Sequence, residues 1–273
     1  MKQYPYLAYI TGIDLTEPIS SESADIINDT LSKHCIILFK QQLTKATQLA
    51  DLAKIFSPKL QLYGDNQDNE IQMYIVQNRT QVMRGSDFWH SDLSYHPIPA
   101  FTTLLYGMEI PHDKSHGNTQ FINMNDAYNR LPDNLKAYYS KLKGVHNISH
   151  NNGFPIDKYE SNETPTPKDA IHPLIRIHPI NGNKILYANP AYTYKIVDEN
   201  NKDLTNSDEI LEEIFDHAIS AKYVIEHEWN TGDLLIWDNI SLLHRATTID
   251  MKPDLKRVML RCCAICKEPP ISA

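Results

Sequence analysis

The chain has 273 residues, of which 41% are hydrophobic and 22% charged, so it can bury a substantial core. Its net charge of −8 argues against the basic surface of a nucleic-acid binder, and its apolar runs are far shorter than the roughly 20 residues of a membrane helix. These properties favour small-molecule chemistry and disfavour nucleic-acid and membrane partners.

The amino-terminal segment and the cysteines indicate a cytoplasmic protein. The first 12 residues, MKQYPYLAYITG, have Tyr and Pro where a signal peptide carries an unbroken apolar stretch. Cys35 stands alone, and the other three cysteines crowd the segment CCAIC at 262–266, unlike a disulfide framework. A zinc ion there would lack further ligands at suitable spacing, so we expect reduced thiols on a strand.

Helices and short strands alternate in the first half of the chain. Helices are predicted where apolar residues recur at helical spacing after a capping residue, at 20–34, 44–56 and 125–142, the last broken near Pro132. Strands are predicted where β-branched and aromatic residues cluster, at 35–39, 71–78, 101–110 and 118–123.

The second half begins with a polar segment, residues 144–172, in which NNGFP and ETPTPKD signal turns. A loop of this length inside a compact domain is typical of a lid. Strand-like segments follow, with one helix at 206–220: PLIRIHP, KILYAN, KYVIEHEW, GDLLIWDN and LKRVMLRCCAI. We expect an α+β fold with many short antiparallel strands, a single domain over residues 1–273, and a lid-like insertion at 144–172.

The segment FWHSDLSY, residues 88–95, carries the first candidate metal ligands. If it is a strand, residues two apart point to the same side, so His90 and Asp92 project together. A third ligand must come from a distant segment, and His244 in WDNISLLHRA is the candidate. Two histidines and one carboxylate on one face of an octahedral ion are typical of non-haem Fe(II) oxygenases. His-x-Asp alone is a weak signal, since a lone histidine is more often a core or surface residue.

Two arginines in LKRVMLR suggest an anion site. Arg257 and Arg261 lie four residues apart on a strand-like segment and therefore point the same way. Two buried guanidinium groups require anions, and their planar shape suits carboxylates. The alternative is a solvated strand face, which would need no ligand.

Five segments in this order resemble the taurine dioxygenase family of Fe(II)/2-oxoglutarate-dependent dioxygenases, and together they cover nearly the whole chain. They are FWHSDLSYHPIPA, HGNTQF, ILYANPAYTYKIVD, GDLLIWDNISLLHRA and LKRVMLR. The resemblance implies a double-stranded β-helix, or jelly-roll, core with flanking helices and with iron at one mouth. It also implies that decarboxylation of 2-oxoglutarate, with O2, is coupled to oxidation of a substrate.

The same resemblance implies roles for individual residues. By position, His90, Asp92 and His244 match the three iron ligands, and Thr119 and Arg257 match the residues that bind the distal carboxylate of 2-oxoglutarate. A halogenating relative would need a small residue in place of Asp92. The resemblance therefore favours hydroxylation, with desaturation and oxidative decarboxylation left open.

The expected substrate site departs from the family. Arg261 matches the position that holds the substrate anion in sulfonate-oxidising members, so a small anionic substrate is implied; a salt bridge to an acidic side chain is the alternative. Gln61 and Tyr63 stand where those members have a histidine, which disfavours taurine itself. Tyr192 replaces a phenylalanine that often lines the pocket and makes that wall more polar.

Two other functions stay open at this point. A catalytically silent jelly-roll could bind a metal and an organic acid as a sensor or carrier, and a zinc hydrolase could use the same scaffold. Two His-x-x-x-His pairs lie in segments with loop character and lack the HExxH glutamate, so we expect surface or lid histidines there: His112, His116, His146 and His150. A homo-oligomer is compatible with the sequence.

Overall fold

The computed structural model describes residues 6–42, 45–61, 74–77, 87–150, 168–249, 251–252 and 255–273. Its α-helices are α1 (Ser21–His34), α2 (Ala46–Lys54), α3 (Met124–Arg130), α4 (Asp133–Tyr139) and α5 (Ser207–Ala218). They coincide with the predicted helices, including the break at Pro132. The side chain of Ser20 caps α1 by accepting a hydrogen bond from the Ser23 N–H. None of the described helices is long and apolar enough to cross a bilayer.

The strands are mostly short. They are β1 (Leu7–Tyr9), β2 (Ile36–Phe39), β3 (Tyr74–Gln77), β4 (Ala100–Glu109), β5 (Thr119–Asn123), β6 (Lys143–His146), β7 (Ala170–Pro173), β8 (Ile175–Ile177), β9 (Lys184–Leu186), β10 (Thr193–Val197), β11 (Ile225–His227), β12 (Leu234–Asp238), β13 (Leu242–Ala246), β14 (Val258–Ile265) and β15 (Ile271–Ser272). Every pairing between them is antiparallel except that of β1 with β2.

Two sheets form the jelly-roll core that the sequence predicts. The larger has the order β1-β2-β12-β4-β14-β3 and the smaller the order β11-β5-β13. Between them lies a cluster of buried apolar side chains, in which Phe121 from β5 packs edge-on against Trp237 from β12, with ring centroids 5.5 Å apart. Burying these side chains from both sheets is the main force that holds the sandwich together.

A second and larger core lies between the large sheet and the helices. It includes Ile37 and Phe39 of β2, Leu104 of β4, and Ile27 and Leu31 of α1. Because successive strand residues face opposite sides, β2 supplies Ile36 and Leu38 to one core and Ile37 and Phe39 to the other. This explains why CIILF is apolar throughout.

The polar segment predicted at 144–172 is not a loop at its ends. Lys143–His146 and Ala170–Pro173 are strands that pair with each other, and β6 also pairs with β10. Lys143 lies opposite Pro173 and His146 opposite Ala170. Residues 151–167 are outside the described part of the chain. The predicted loop therefore overlapped two strands, which its polar and turn-forming residues concealed.

Candidate active site

The three candidate metal ligands meet at one end of the jelly-roll core. His90, Asp92 and His244 each offer a ligand atom, and these atoms all lie within 4.8 Å of one another. All three side chains are buried. Nε2 of His90 is 3.5 Å from one carboxylate oxygen of Asp92, and Nε2 of His244 is 3.6 Å from the other. The three residues thus form one cluster, although 154 residues separate His90 from His244 in the sequence.

The local structure that brings them together differs from the predicted strand. His90 makes only an isolated bridge to His244, in which each backbone N–H donates to the other's carbonyl at 3.0 and 2.8 Å. The chain then turns, and Leu93 adopts a left-handed φ of 55°. The prediction of a strand across FWHSDLSY was therefore wrong. His90 is positioned by the bridge to β13, and Asp92 by side-chain contacts beyond it.

Asp92 is the electrostatic centre of the cluster. Nη2 of Arg261 lies 2.7 Å from its Oδ1, and the Thr103 hydroxyl donates to its Oδ2 at 2.5 Å. Burial alone would raise the pKa of Asp92, but Arg261 and the two histidines lower it well below its usual value. The carboxylate is therefore ionised. The contact with Arg261 is the salt bridge weighed above as the alternative to a substrate contact.

The histidines turn their Nε2 atoms toward this carboxylate. Nδ1 of His90 lies 2.7 Å from the Phe88 carbonyl, to which a ring nitrogen can only donate, and this contact leaves its Nε2 for the cluster. Burial and then His90 lower the pKa of His244 well below its usual value, so that ring is neutral and one of its nitrogens carries a lone pair. The Nε2 atoms lie 3.5 and 3.6 Å from the carboxylate oxygens, beyond the roughly 2.7–3.2 Å of a good hydrogen bond, which leaves room for a cation between the donors. The donor set therefore fits a divalent metal ion.

A hydrogen-bonded chain behind Asp92 was missed by the sequence analysis. The Thr103 hydroxyl accepts from Nδ2 of Asn239 at 2.8 Å, and Oδ1 of Asn239 accepts from Nε1 of Trp237 at 3.1 Å. Cys263 Sγ lies 3.1 Å from the same hydroxyl; burial raises the pKa of Cys263 to about 12, so the protonated thiol can donate. The Thr103 hydrogen is thereby directed at Asp92. A polar residue on an otherwise apolar buried strand was the available signal.

Thr119 and Arg257 meet at Trp229, a residue to which the sequence analysis gave no role. Nε1 of Trp229 donates to the Thr119 hydroxyl at 2.9 Å, and the Arg257 guanidinium lies 6.0 Å from the centre of a Trp229 ring. Nε of Arg257 donates to the Gly117 carbonyl at 2.8 Å. Burial lowers the pKa of Arg257 to about 10, so it stays charged at neutral pH. The Asp87 carboxylate is near enough to raise the pKa of Arg257, but among the described residues no acidic side chain forms an ion pair with it.

Gly117 makes room for that arginine. Its φ is +78°, and a Cβ there would lie 3.0 Å from Sδ of Met251 and 3.2 Å from Cδ of Arg257. The glycine in HGNTQF thus permits the backbone to approach the arginine closely.

The strand register relates this charged pocket to the metal cluster. On β5 and β13, His244 lies opposite Phe121 and Ala246 opposite Thr119, so Thr119 and His244 share the inner face. They are diagonal neighbours, roughly 7–8 Å apart. Thr119, which shares the contact with Trp229 made by the buried Arg257, and the candidate metal ligand His244 are therefore at a separation that suits the two ends of a small dicarboxylate.

The candidate substrate residues differ in where the structure places them. Tyr192 is buried and lies edge-on to His90, with ring centroids 6.2 Å apart, and Tyr95 packs on Tyr192 at 4.9 Å. The N–H of Gln61 donates to the Cys263 carbonyl, so this segment runs beside β14 near Asp92. Tyr63 lies outside the described residues. Tyr192 therefore forms one wall of the metal cluster, and Tyr95 extends it.

One expectation for the histidine pairs was wrong. His146 is fully buried on β6, where Nδ1 lies 3.2 Å from the Ser94 hydroxyl. Burial lowers the pKa of His146 well below its usual value, so the ring is neutral. His112 and His150 are exposed, and His116 is half-buried. The strand pairing of β6 with β10, which local sequence does not show, buries His146.

Comparison with known proteins identifies the family. The model of the "Taurine catabolism dioxygenase TauD, TfdA family" matches residues 3–263. The chain belongs to the TauD/TfdA family. This confirms the resemblance drawn from the five ordered segments.

Relatives of the TauD/TfdA protein show the same overall structure and reaction class. This chain is 26% identical to the (S)-phenoxypropionate/alpha-ketoglutarate-dioxygenase of Sphingobium herbicidovorans, over 92% of this chain and 89% of that protein. It is 25% identical to an alpha-ketoglutarate-dependent 2,4-dichlorophenoxyacetate dioxygenase of Cupriavidus pinatubonensis, over 90% of each. A taurine dioxygenase structure from Burkholderia xenovorans superposes with a TM-score of 0.79 at 25% identity, over 97% of this chain and 89% of that one.

This TauD/TfdA protein is therefore an oxidoreductase of the 2-oxoglutarate-dependent dioxygenase class, and its reaction uses 2-oxoglutarate, O2 and a metal ion. The cluster of His90, Asp92 and His244 is the place in the described structure whose donor set suits that metal.

Proposed function

We propose that the protein uses Fe(II) and 2-oxoglutarate to oxidise a C–H bond of a small organic anion, with hydroxylation as the default outcome. Succinate and CO2 are the products formed from 2-oxoglutarate. The observation that carries the proposal is the convergence of His90, Asp92 and His244 to within 4.8 Å beside a buried arginine pocket. Two histidines and one carboxylate leave open positions on a non-haem iron for a cosubstrate and O2.

His90, Asp92 and His244 would hold the metal, which would supply the activation of O2. The chain's own part is to fix these donors and to keep water away. Thr103 directs its hydrogen at Asp92 and the Phe88 carbonyl accepts from Nδ1 of His90, so two of the three donors are held by a second contact.

Arg257 and Thr119 would bind the distal carboxylate of 2-oxoglutarate. The guanidinium is buried and charged, and a planar donor pair binds a carboxylate through two parallel hydrogen bonds. Thr119 already accepts from Trp229, so its own hydrogen is available to the same carboxylate. The other end of the cosubstrate would then reach the metal cluster along the inner face of β5 and β13.

Arg261 and Tyr192 would contact the substrate on the opposite side of the metal cluster. Arg261 holds Asp92 at 2.7 Å, which places a positive charge beside the metal ligands. A chain of net charge −8 attracts an anion only through such a local positive group. Phenoxypropionate, the substrate in the name of the Sphingobium relative, is an anion of this kind. Tyr63 remains a further candidate for this wall. Of the segment 144–172 predicted as a lid on a single domain, the part between β6 and β7 remains the candidate.

The test is an anaerobic titration. Addition of 2-oxoglutarate to Fe(II)-loaded protein is expected to produce a visible charge-transfer band, and a substrate is expected to shift it. A panel of small carboxylates, sulfonates and amines, including phenoxypropionate, would identify the substrate class. A band without substrate oxidation for any compound would favour the silent binding protein. Metal-dependent hydrolysis that proceeds without O2 would favour the zinc hydrolase.

Replacing Arg261 with leucine is expected to raise the KM for the anionic substrate by at least about tenfold, because the charge that faces it is lost. Because Arg261 also contacts the metal ligand Asp92, metal binding should weaken, so the variant is assayed at saturating metal. Under that condition the affinity for 2-oxoglutarate and its slow decarboxylation without substrate should survive. Steady-state kinetics and succinate release measure both. Equal loss of substrate and 2-oxoglutarate binding would instead assign Arg261 to the cosubstrate.

Replacing Thr103 with valine is expected to weaken metal binding by about tenfold to a hundredfold, the usual effect of removing a contact to a ligand. Valine has nearly the same shape but removes the hydroxyl that donates to Asp92 Oδ2 at 2.5 Å, which leaves only the distant Cys263 thiol at 3.9 Å. The matched control is Thr103→Ser, which keeps the hydroxyl and should bind metal nearly as wild type. Calorimetric titration with Mn(II) measures this without relying on activity. Equal affinities in the valine and serine variants would remove Thr103 from this role.

A further inference from the structure

A second cavity, of about 390 Å³, lies on the outer face of the β11-β5-β13 sheet. Gln120 of β5 and Arg245 of β13 line it, and each is one residue away from a side chain of the inner face, Thr119 and His244. Successive strand residues point to opposite sides, so this cavity is separated from the metal cluster by the thickness of the sheet. It is a different site from the one described above.

A row of three side chains crosses the three strands at this cavity. Gln120 lies opposite Glu226 on one side and opposite Arg245 on the other. Its amide nitrogen donates to Glu226 at 2.6 Å, and its amide oxygen accepts from Nε of Arg245 at 2.8 Å. Glu226 and Arg245 are two strand spacings apart, roughly 9.6 Å, and the Gln120 amide lies between them.

The two charged groups of this row, Glu226 and Arg245, differ in the partners that they contact. Asn118 donates to the second carboxylate oxygen of Glu226 at 2.7 Å, so two amide groups meet that negative charge. The Arg245 guanidinium meets a neutral amide oxygen and lies 4.7 Å from the centre of a Trp89 ring. Among the ion pairs of the described residues, none includes Arg245. The cavity is therefore lined by one carboxylate, which two amide groups satisfy, and by one guanidinium that pairs with no carboxylate among the described residues.

The opposite wall is largely apolar. It is formed by Ile219, Ser220, Ala221 and Val224, at the end of α5 and in the turn that follows, and three of these four side chains are apolar. A cavity with a guanidinium at one side and aliphatic side chains at the other suits a ligand with a carboxylate and an apolar body. The Trp89 ring beneath the guanidinium holds it in place and offers a flat surface to that body.

We propose that this cavity is a binding site for a small amphipathic carboxylate, separate from the active site. Arg245 binds the carboxylate, and the wall of Ile219, Ala221 and Val224 packs against the apolar part. Trp89, which lines this cavity, directly precedes the candidate metal ligand His90, and the backbone of His90 is bridged to His244 of β13. The backbone therefore connects the cavity to the metal cluster.

The test is isothermal titration of the full-length protein with hexanoate and with benzoate. Arg245→Gln is expected to weaken binding by roughly tenfold to a hundredfold, the value of a charged hydrogen bond converted to affinity. Hexanamide, which has the same body without the charge, should bind at least about tenfold more weakly than hexanoate. Ala221→Trp, which fills the cavity from an exposed position and leaves the guanidinium intact, should also abolish binding.

Two control variants test whether hexanoate binding depends on Arg245 in this cavity and on no other charge. Lys222→Gln removes a neighbouring exposed charge outside the cavity and should bind hexanoate as wild type. Arg261→Leu should keep the binding that depends on Arg245, because Arg261 lies at the metal cluster. Absence of saturable binding of both acids, or equal affinity in wild type and Arg245→Gln, would overturn the proposal. Loss of hexanoate binding in Arg261→Leu with retention in Arg245→Gln would place the acid in the active site and overturn it too.

Discussion

Asp92→Ala is expected to abolish succinate formation that depends on substrate, while the chain still folds. Asp92 supplies the carboxylate of the cluster and sits between both histidines and Arg261. Removing a contact to a metal ligand costs about tenfold to a hundredfold in affinity, and removing the ligand itself should exceed that range. The measurement combines Mn(II) titration with succinate release in the presence and absence of substrate.

A matched control separates loss of the site from loss of the fold. Asp233 is also buried, and it pairs with Lys40 at 3.0 Å and with His227 at 3.4 Å, outside the metal cluster. Asp233→Asn removes a comparable buried charge, so it should lower the thermal midpoint but leave the metal affinity per folded molecule unchanged. Wild-type oxidation by Asp92→Ala would show that the metal is held elsewhere.

The fold was predictable where local signals agree with the final contacts. The cap at Ser20 and the helical spacing after it place α1 correctly, and Pro132 separates α3 from α4. CIILF is apolar at every position because both faces of β2 are buried. In each case the feature is determined within a few residues, so the sequence alone could show it.

The errors occurred where distant contacts decide the structure. The alternation in FWHSDLSY resembles a strand, yet pairing stops after His90, and contacts with Thr103 and Arg261 position Asp92. Similarly, polar neighbours suggested that His146 is a surface or lid residue, whereas pairing of β6 with β10 buries it. Periodicity reports the environment of a side chain only when the backbone stays regular and its partners are known.

The residues of the candidate site, too, were only partly predictable from the sequence. Its three metal-competent side chains could be proposed from residue type and order, because the required chemistry restricts them to histidine and carboxylate. The roles of Asn239 and Trp229 could not be proposed from the sequence. They depend on hydrogen bonds to Thr103 and Thr119, which lie 136 and 110 residues away in the chain. Residues that orient a ligand need only a donor at the right place, so sequence type says little about them.

Arg257→Ala is expected to weaken 2-oxoglutarate binding by about 2 to 5 kcal/mol, or roughly thirtyfold to several thousandfold, the range for truncating one partner of a buried charge pair. The guanidinium is buried, its pKa stays near 10, and no carboxylate of the described residues pairs with it. The cosubstrate would supply that missing anion. Calorimetric titration of 2-oxoglutarate into the metal-loaded protein under anaerobic conditions measures the loss directly.

Arg257→Lys is the informative companion variant. Lysine keeps the positive charge but cannot donate two parallel hydrogen bonds or donate from Nε to Gly117 as the guanidinium does at 2.8 Å. Its affinity for 2-oxoglutarate should therefore fall between those of wild type and Arg257→Ala, with metal affinity unchanged in both variants, because Arg257 lies at the Trp229 side of the pocket. An unchanged 2-oxoglutarate affinity in Arg257→Ala would assign the guanidinium to a structural contact with Gly117 and Trp229. In that case the distal carboxylate must be bound by a group other than Arg257, and not by Arg261, because that guanidinium contacts the metal ligand Asp92.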